Sequence, residues 1–329
     1  MRNRKKSVLI SCLGIVASLS LAACSSGSSS SDTSSAAGGD SSTSSSAGGN
    51  ELDGVSITVG SKNFTENILL GEMLVQALEH QGANVTDQTN LGGTSVNRQA
   101  LMSGDIDVYP DYNGTGWTVH LGQEDPSNDP QTLFDKTAKM DLEKNQIKWV
   151  GMSKFNDTYG FAANGDLAKK QPDGSFDFQS MADYLKANPD ATLCLESEFP
   201  DRPDGLILFE NATGYSVPQS QIKILDTGLI YTQTSQGECQ FGEVFTTDGR
   251  ISALNLSLVN DPGVMILYNA SYTFRDKVYE AHADTYDKIA NTILDSLDNT
   301  KMAELNAKVD VEGKDAKDVA ASYLDSIGL

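Results

Sequence analysis

The sequence predicts an α/β fold divided into two lobes. Residues 52–329 form a continuous stretch of 278 residues, which is more than one hydrophobic core usually serves. Strand patterns and helix patterns alternate along this stretch, an order typical of α/β proteins with a largely parallel sheet. The sequence contains no internal repeat.

The first predicted elements are a strand and a helix. Residues 55–59 alternate between apolar and polar side chains, which predicts a strand. Asn63 is a candidate N-cap for the helix that follows, and Glu66, three residues on, completes a capping-box pattern. Gly82 supplies the predicted stop of this helix. Its apolar face recurs at helical spacing, with Ile68, Leu69, Met73 and Ala77.

The remaining elements continue the alternation. A second strand is predicted near residues 85–90, and Gly92-Gly93-Thr94 leads from it into a helix that ends at Met102. Further helices are predicted at residues 131–145, 178–188, 272–297 and 316–326. Further strands are predicted at residues 106–109, 148–150, 159–163, 192–195, 222–225 and 264–268.

Residues 1–23 have the three parts of a signal peptide. A basic cluster precedes an apolar run of 16 residues, 8–23, which ends in small residues. The end reads Leu21-Ala22-Ala23-Cys24 and resembles the bacterial lipobox, which implies that Cys24 becomes the first residue and receives a lipid. The alternative is an uncleaved transmembrane helix, but the run is shorter than the roughly 20 residues that a bilayer requires.

The segment after Cys24 is expected to be a tether. Residues 25–50 are almost entirely Ser, Gly, Ala and Thr, with no aromatic or large aliphatic side chain to bury. Residues 24–51 would therefore hold a folded domain on the outer face of the cell membrane. Removing the signal peptide, with its four basic residues, changes the net charge from −21 to −25, which argues against nucleic acid as a partner.

Two cysteines remain for the folded part, because Cys12 leaves with the signal peptide and Cys24 carries lipid. A disulfide between Cys194 and Cys239 is indicated in an oxidising compartment, with two separate buried thiols as the alternative. No metal site and no cofactor are expected, since the three histidines are isolated from one another and from the cysteines.

Six segments of the sequence form a recognisable set of motifs. They are Gly60-Ser61-Lys62-Asn63-Phe64-Thr65-Glu66, Leu91-Gly92-Gly93-Thr94, Gly104-Asp105-Ile106-Asp107-Val108-Tyr109-Pro110-Asp111-Tyr112-Asn113-Gly114-Thr115, Asn156-Asp157-Thr158-Tyr159, Glu198-Phe199-Pro200-Asp201-Arg202-Pro203-Asp204-Gly205 and Thr247-Asp248-Gly249-Arg250. Together they resemble the substrate-binding lipoproteins of osmoprotectant ABC importers, which bind glycine betaine, carnitine and choline. Each segment alone is a weak signal, but six in the family's order are specific.

The resemblance implies a two-lobed periplasmic-binding-protein fold of the type II kind, with ligand in the cleft between the lobes. Residues 52–157 and 270–329 would form lobe 1, and residues 158–269 would form lobe 2. Closure around ligand would be a hinge motion. The implied partners are a small quaternary ammonium ligand, an ABC permease and its ATPase, and the implied function is transport and not catalysis.

The motifs contain residues suited to the two ends of a betaine. A quaternary ammonium has no N–H to donate, so aromatic faces hold it, whereas a carboxylate is held by fixed donors such as the planar guanidinium. By resemblance, Tyr112, Tyr159, Phe245 and Tyr268 would form a cage, and Lys62, Thr115 and Arg202 a carboxylate clamp. Asp157, counted with the ligand-binding residues, and Asp204 are expected to orient neighbouring donors.

Purely structural roles are the alternative for these residues. The tyrosines could be half-buried core residues, and Lys62 and Arg202 could form surface ion pairs in an acidic chain. The sequence also departs from the family pattern at two positions. Phe245 stands where the family usually has tyrosine before Thr-Asp-Gly, and Ile266-Leu267 replaces the family's Pro-Pro before Tyr268.

Two other functional classes remain open. An extracellular hydrolase requires a nucleophile with an activating base, but neither Gly-x-Ser-x-Gly nor His-Glu-x-x-His occurs in the sequence. An adhesive lipoprotein would bind no small molecule.

Overall fold

The structure, a computed structural model, describes residues 51–329. The predicted signal peptide, the lipidation site Cys24 and the tether up to residue 50 lie outside the described residues. Within the described part, no helix combines the length and the apolar character needed to cross a membrane.

Strands and helices alternate through the described residues. The strands are β1 (Ser56–Lys62), β2 (Asn84–Gly92), β3 (Val108–Tyr112), β4 (Ile147–Val150), β5 (Tyr159–Asn164), β6 (Leu193–Leu195), β7 (Ile222–Ile224), β8 (Phe241–Phe245), β9 (Leu256–Leu258) and β10 (Ala270–Arg275). The helices are α1 (Thr65–His80), α2 (Thr94–Ser103), α3 (Asn113–Thr115), α4 (Pro130–Asn145), α5 (Gly165–Ala168), α6 (Phe178–Ala187), α7 (Leu206–Thr213), α8 (Thr227–Ser235), α9 (Arg250–Ala253), α10 (Asp276–Tyr279), α11 (Ala283–Asp295), α12 (Asn299–Asp310) and α13 (Ala316–Ile327). A π-helical turn at Gly116–His120 and 3₁₀ turns at Phe199–Asp201 and Gln219–Gln221 complete the elements.

Within residues 51–329 the strands form two sheets of five strands each. The first sheet has the order β2-β1-β3-β10-β4 and the second has the order β7-β6-β8-β5-β9. Each sheet, with the helices packed on it, is here called a lobe. The first lobe contains β1 to β4 and β10, and the second contains β5 to β9. The sequence-based lobe boundaries at residues 157 and 270 stay predictions.

Two crossover segments connect the lobes, residues 151–158 and residues 259–269. They hydrogen-bond to each other: the Asp157 N–H donates to the Tyr268 carbonyl at 3.0 Å, and the Tyr268 N–H donates to the Asn156 side chain at 2.6 Å. The crossovers therefore lie side by side between the sheets.

Both sheets are mixed and not largely parallel, contrary to the prediction. β1 pairs in parallel with β2 and β3, but β10 is antiparallel to both β3 and β4. Likewise β6 is parallel to β7 and β8, whereas β5 is antiparallel to β8 and β9. The physical reason is that each crossover inserts its following strand, β5 or β10, into a sheet in the reverse direction.

The strand predicted at residues 264–268 and the start of the helix predicted at residues 272–297 are wrong. Residues 264–268 belong to the second crossover, and the strand lies a few residues later, at β10. The structure has a strand at residues 272–275 where a helix is predicted, because β10 pairs along both edges and buries Tyr272 and Phe274. The predicted helix is then present only as α10 and α11.

The helix α1 begins later than predicted. Phe64, and not Asn63, occupies the N-cap position, and no side chain caps it. Glu66 therefore forms no capping box and is buried instead. At the other end Gly82 has φ of 93°, a left-handed conformation that glycine adopts without strain and that ends the helix as expected. α1 packs against the first sheet and against α11, α12 and α13.

Cys194 and Cys239 form a disulfide in the structure, with Cα atoms 5.9 Å apart, within the usual range. Both are fully buried against Ile230 of α8. Their pairing in the exported protein stays a prediction.

Candidate functional site

A cavity of about 610 Å³ lies between the two lobes. Seven of the eight predicted ligand-binding residues line it, and the eighth, Arg202, lies directly behind Thr94 and Thr115 of its wall. The lining residues are Lys62, Asn63, Phe64, Asn90, Gly93, Thr94, Tyr112 and Thr115 from the first lobe, Asp157 and Tyr268 from the crossovers, and Tyr159, Glu196, Ser197, Glu198, Phe245 and residues 224–229 from the second lobe.

Five aromatic rings form a closed cycle on the cavity wall. The centroid distances between neighbours are 6.1 Å for Phe64 and Tyr112, 6.3 Å for Tyr112 and Tyr268, 5.4 Å for Tyr268 and Tyr159, 5.3 Å for Tyr159 and Phe245, and 4.7 Å for Phe245 and Phe64. Each ring thus has two aromatic neighbours within 6.3 Å, and all five residues line the cavity.

The secondary structure explains why these rings meet. Tyr159 begins β5 and Phe245 ends β8, and the two residues are direct partners in the antiparallel register, so their side chains are neighbours on one face. Tyr112 ends β3, and Phe64 immediately precedes α1. Tyr268 lies on the second crossover and brings its ring between those of the two lobes.

Two of the tyrosine hydroxyls are held by buried carboxyl groups. Tyr112 donates to Glu66 Oε1 at 2.9 Å, and Tyr268 donates to Asp204 Oδ2 at 2.5 Å. Burial, followed by these nearby acids, raises the pKa of both phenols well above its usual value. The hydroxyls therefore stay protonated, and the two hydrogen bonds fix the positions of the rings on the cavity wall.

Glu66 and Asp157 form a carboxyl pair bridged by the Thr247 hydroxyl. Thr247 Oγ1 lies 2.6 Å from Glu66 Oε2 and 2.5 Å from Asp157 Oδ1. A hydroxyl has only one proton to donate, so one of these short contacts requires a proton on a carboxyl group. Burial, and then the charge of Asp157, raises the pKa of Glu66 well above its usual value. Glu66 is thus the protonated member, and Asp157 carries the charge at the cavity wall.

Lys62 is part of a buried polar network in the first lobe. Its Nζ lies 2.8 Å from Asp111 Oδ1 and 5.2 Å from the centroid of the Tyr112 ring. The second oxygen of Asp111 contacts His120 Nε2 at 2.7 Å and also accepts from the Tyr109 hydroxyl. Although burial opposes ionisation of Asp111, Lys62 and His120 lower its pKa. Lys62 is therefore held in place by one of its three donors.

Arg202 has a crowded guanidinium. Its Nε and Nη2 both donate to Asp204, each at 2.8 Å. Nη1 donates to Thr94 Oγ1 at 3.0 Å, and Nη2 donates to Thr115 Oγ1 at 3.3 Å. The planar fork expected to bind a ligand carboxylate is thus occupied by Asp204, and Nη1 is the nitrogen that Asp204 leaves unbound. The role of Arg202 as a ligand-binding residue stays a prediction.

Burial excludes surface ion pairing for the two basic residues, because Lys62 is 4% exposed and Arg202 is 6% exposed. Sequence reasoning missed Phe64 and Glu66 as site residues. Phe64 lies inside the first motif, so its aromatic side chain could have been counted among the cage residues. Glu66 matched a capping pattern, and its contacts with residues more than 40 positions away have no local signal.

Residues 55–326 match the family described as the substrate-binding domain of the ABC-type glycine betaine transport system, OpuAC. The chain is 33% identical over 282 residues to the glycine betaine-binding protein YehZ of Escherichia coli, covering 83% of this chain and 90% of YehZ. It is 30% identical over 274 residues to the glycine-betaine-binding protein of Pseudomonas aeruginosa, covering 82% and 87% of the two chains.

Solved structures agree with this match. The structure of apo YehZ from Escherichia coli superposes with a TM-score of 0.59 at 32% identity, covering 83% of this chain and 98% of that one. A structure described as a glycine betaine/carnitine/choline ABC transporter superposes with a TM-score of 0.64 at 24% identity, covering 82% and 98%, and supports the two-lobed fold alone. The chain therefore belongs to the OpuAC family, the solute-binding proteins of glycine betaine and carnitine-type ABC importers.

Proposed function

We propose that this chain is an extracytoplasmic, lipid-anchored receptor that binds a quaternary ammonium osmoprotectant and passes it to an ABC permease and its ATPase. Glycine betaine is the first expected ligand, with carnitine, proline betaine and choline as further candidates. The names of the relatives from Escherichia coli and Pseudomonas aeruginosa support this order. Glycine betaine joins a trimethylammonium group to a carboxylate, so it requires two kinds of subsite.

The closed cycle of five aromatic rings is the observation that carries the proposal. Each well-placed ring contributes roughly 0.5 to 2 kcal/mol to holding a cation, and the rings come from both lobes and from a crossover. Asp157, at the cavity wall, adds a negative charge next to the rings. A ligand that contacts both lobes stabilises the closed state by differential contact.

Phe245 completes the cycle without a hydroxyl. A phenyl ring retains the negative π face that attracts a cation, and Phe245 stacks on Phe64 at 4.7 Å. The substitution of the family's tyrosine is therefore compatible with a cage.

The ligand carboxylate would be held by Lys62, Thr115 and Arg202. Lys62 keeps two N–H donors beyond the one that faces Asp111. Thr94 and Thr115, which both line the cavity, accept from Nη1 and Nη2 of Arg202.

Calorimetric titration of the purified chain with glycine betaine, carnitine, proline betaine and choline tests the proposal. We expect at least one compound to bind and to be recovered chemically unchanged. Turnover of the compound would favour a hydrolase, and absence of binding at millimolar concentration would favour an adhesive lipoprotein.

The anchor is tested separately. We expect Cys24→Ala to release the protein from the membrane fraction without unfolding it, because the tether separates the anchor from the fold. Retention of the exported Cys24→Ala protein in the membrane would contradict lipidation at this residue.

A further inference from the structure

The carboxylate of Glu198 occupies a donor-rich position on the cavity wall. Glu198 belongs to the second lobe, yet its Oε2 accepts from the Thr94 N–H at the start of α2 in the first lobe, at 3.3 Å. The same oxygen lies 3.6 Å from Arg202 Nη1. Its Oε1 fits against Gly93, where any Cβ would stand only 2.2 Å from it.

The donors around this carboxylate are those that an anionic ligand group would use. A backbone N–H at a helix N-terminus and a guanidinium N–H both favour a carboxylate. Arg202 Nη1 is also the guanidinium edge that Asp204 leaves open. The protein's own carboxylate therefore lies where the carboxylate of a betaine would approach Arg202.

Glu198 is not needed to balance the charge of either basic residue at the cavity. Lys62 is already paired with buried Asp111, and Arg202 is already paired with buried Asp204. Glu198 neutralises no further cation. Its side chain is 32% exposed, so it can leave the position without breaking the core.

We propose that Glu198 is a specificity-determining residue that competes with a ligand carboxylate for Arg202 and the start of α2. The inference rests on the proposed function, since it assumes that a trimethylammonium group enters the aromatic cycle. A zwitterionic betaine must displace Glu198, whereas choline, which has no carboxylate, leaves Glu198 in place. Glu198 thus lowers the affinity for betaines relative to choline-type cations.

The test is titration of glycine betaine and of choline into the wild-type chain and into Glu198→Gln and Glu198→Ala. In Glu198→Ala the ligand carboxylate no longer competes with Glu198 for a charge-assisted hydrogen bond. We therefore expect the affinity for glycine betaine to rise about tenfold in this variant. Choline affinity should be unchanged or fall by a few fold, because the cavity loses a negative charge. Glu198→Gln should change the ratio in the same direction.

Asp201→Asn is the matched control. Asp201 is exposed in the same turn, and its replacement removes one negative charge without touching Arg202 or Thr94. We expect the ratio of the two affinities to stay within about twofold of the wild type in this variant.

Two outcomes would overturn this inference and leave the proposed function intact. Equal weakening of both ligands in Glu198→Ala would make Glu198 an interlobe contact without selectivity. Selective weakening of glycine betaine would mean that Glu198 assists the betaine. Absence of binding by either compound in all variants would overturn the proposed function, and the inference with it.

Discussion

Acidification should weaken the binding of a quaternary ammonium ligand, because it removes the charge beside the aromatic cycle. Thr247 bridges Glu66 and Asp157, and the pair retains one ionised member, Asp157. Burial raises the pKa of Asp157 to about 6, with its hydrogen bonds from Thr247 and Glu66 acting in the opposite direction. The group is therefore ionised at pH 7.5 and largely protonated at pH 5.

The magnitude follows from the titration of one group. With a pKa of about 6, roughly nine-tenths of the Asp157 charge is lost at pH 5, so affinity for a cation should fall by up to about tenfold between pH 7.5 and pH 5. The sign is fixed because a cation favours the ionised form, and its binding lowers the pKa of Asp157. Ligand binding near pH 6 should accordingly release a proton.

Choline is the ligand to use, since it has no group that titrates in this range. The assay is calorimetric titration at pH 5, 6 and 7.5 in buffers of different ionisation enthalpy, which report the released proton. Asp157→Asn should bind more weakly at pH 7.5 and show no pH dependence, whereas Thr247→Ser, which keeps the hydroxyl, should behave like the wild type. Equal pH dependence in the wild type and in Asp157→Asn would refute the reasoning.

Four further predictions concern stability and the cage. The free energy of unfolding of the ligand-free protein in urea should be larger at pH 5 than at pH 7.5, by about 1 kcal/mol or more. The reason is that the raised pKa of Asp157 contributes stability that is present at low pH and lost as pH rises through about 6. A lower unfolding midpoint at pH 5 would contradict this. Tyr159→Ala should reduce the affinity for choline about five- to thirtyfold, and an unchanged dissociation constant would exclude the cage. Arg202→Ala should weaken glycine betaine more than choline in parallel titrations, and equal losses would end its role in the clamp. The Cys194–Cys239 bond, which closes a loop of 45 residues, should contribute roughly 3 to 4 kcal/mol to the free energy of unfolding. Mass spectrometry of the non-reduced exported protein checks the bond, and two alkylatable thiols would disprove it.

The sequence predicted those parts of the site that depend on strand positions. Residues 159–163 carry a strand pattern, and the structure has β5 from residue 159. Tyr159 therefore starts a strand, and its ring meets Phe245 through simple antiparallel pairing. Motif order identified the family, which the match over residues 55–326 confirms.

The parts that failed are governed by contacts distant in sequence. Residues 272–275 continue a helical pattern, but the edges of β3 and β4 decide their conformation. Glu66 satisfies a local capping pattern, yet it bonds to Tyr112 and Thr247, which lie 46 and 181 residues away. Local propensity is a weak prior when such tertiary contacts compete with it.

The two crossovers have a mechanical consequence for ligand capture. Asp157 and Tyr268 lie on adjacent segments that are hydrogen-bonded to each other, so they would stand close to the pivot of a hinge rotation between the lobes. A rotation displaces atoms in proportion to their distance from its axis, and these two residues would move least. Glu198 and Thr94, which belong to opposite lobes, would separate through a wider arc. An incoming cation would thus contact the Asp157 carboxylate and the Tyr268 ring first, and the outer walls of the cavity would then close around it.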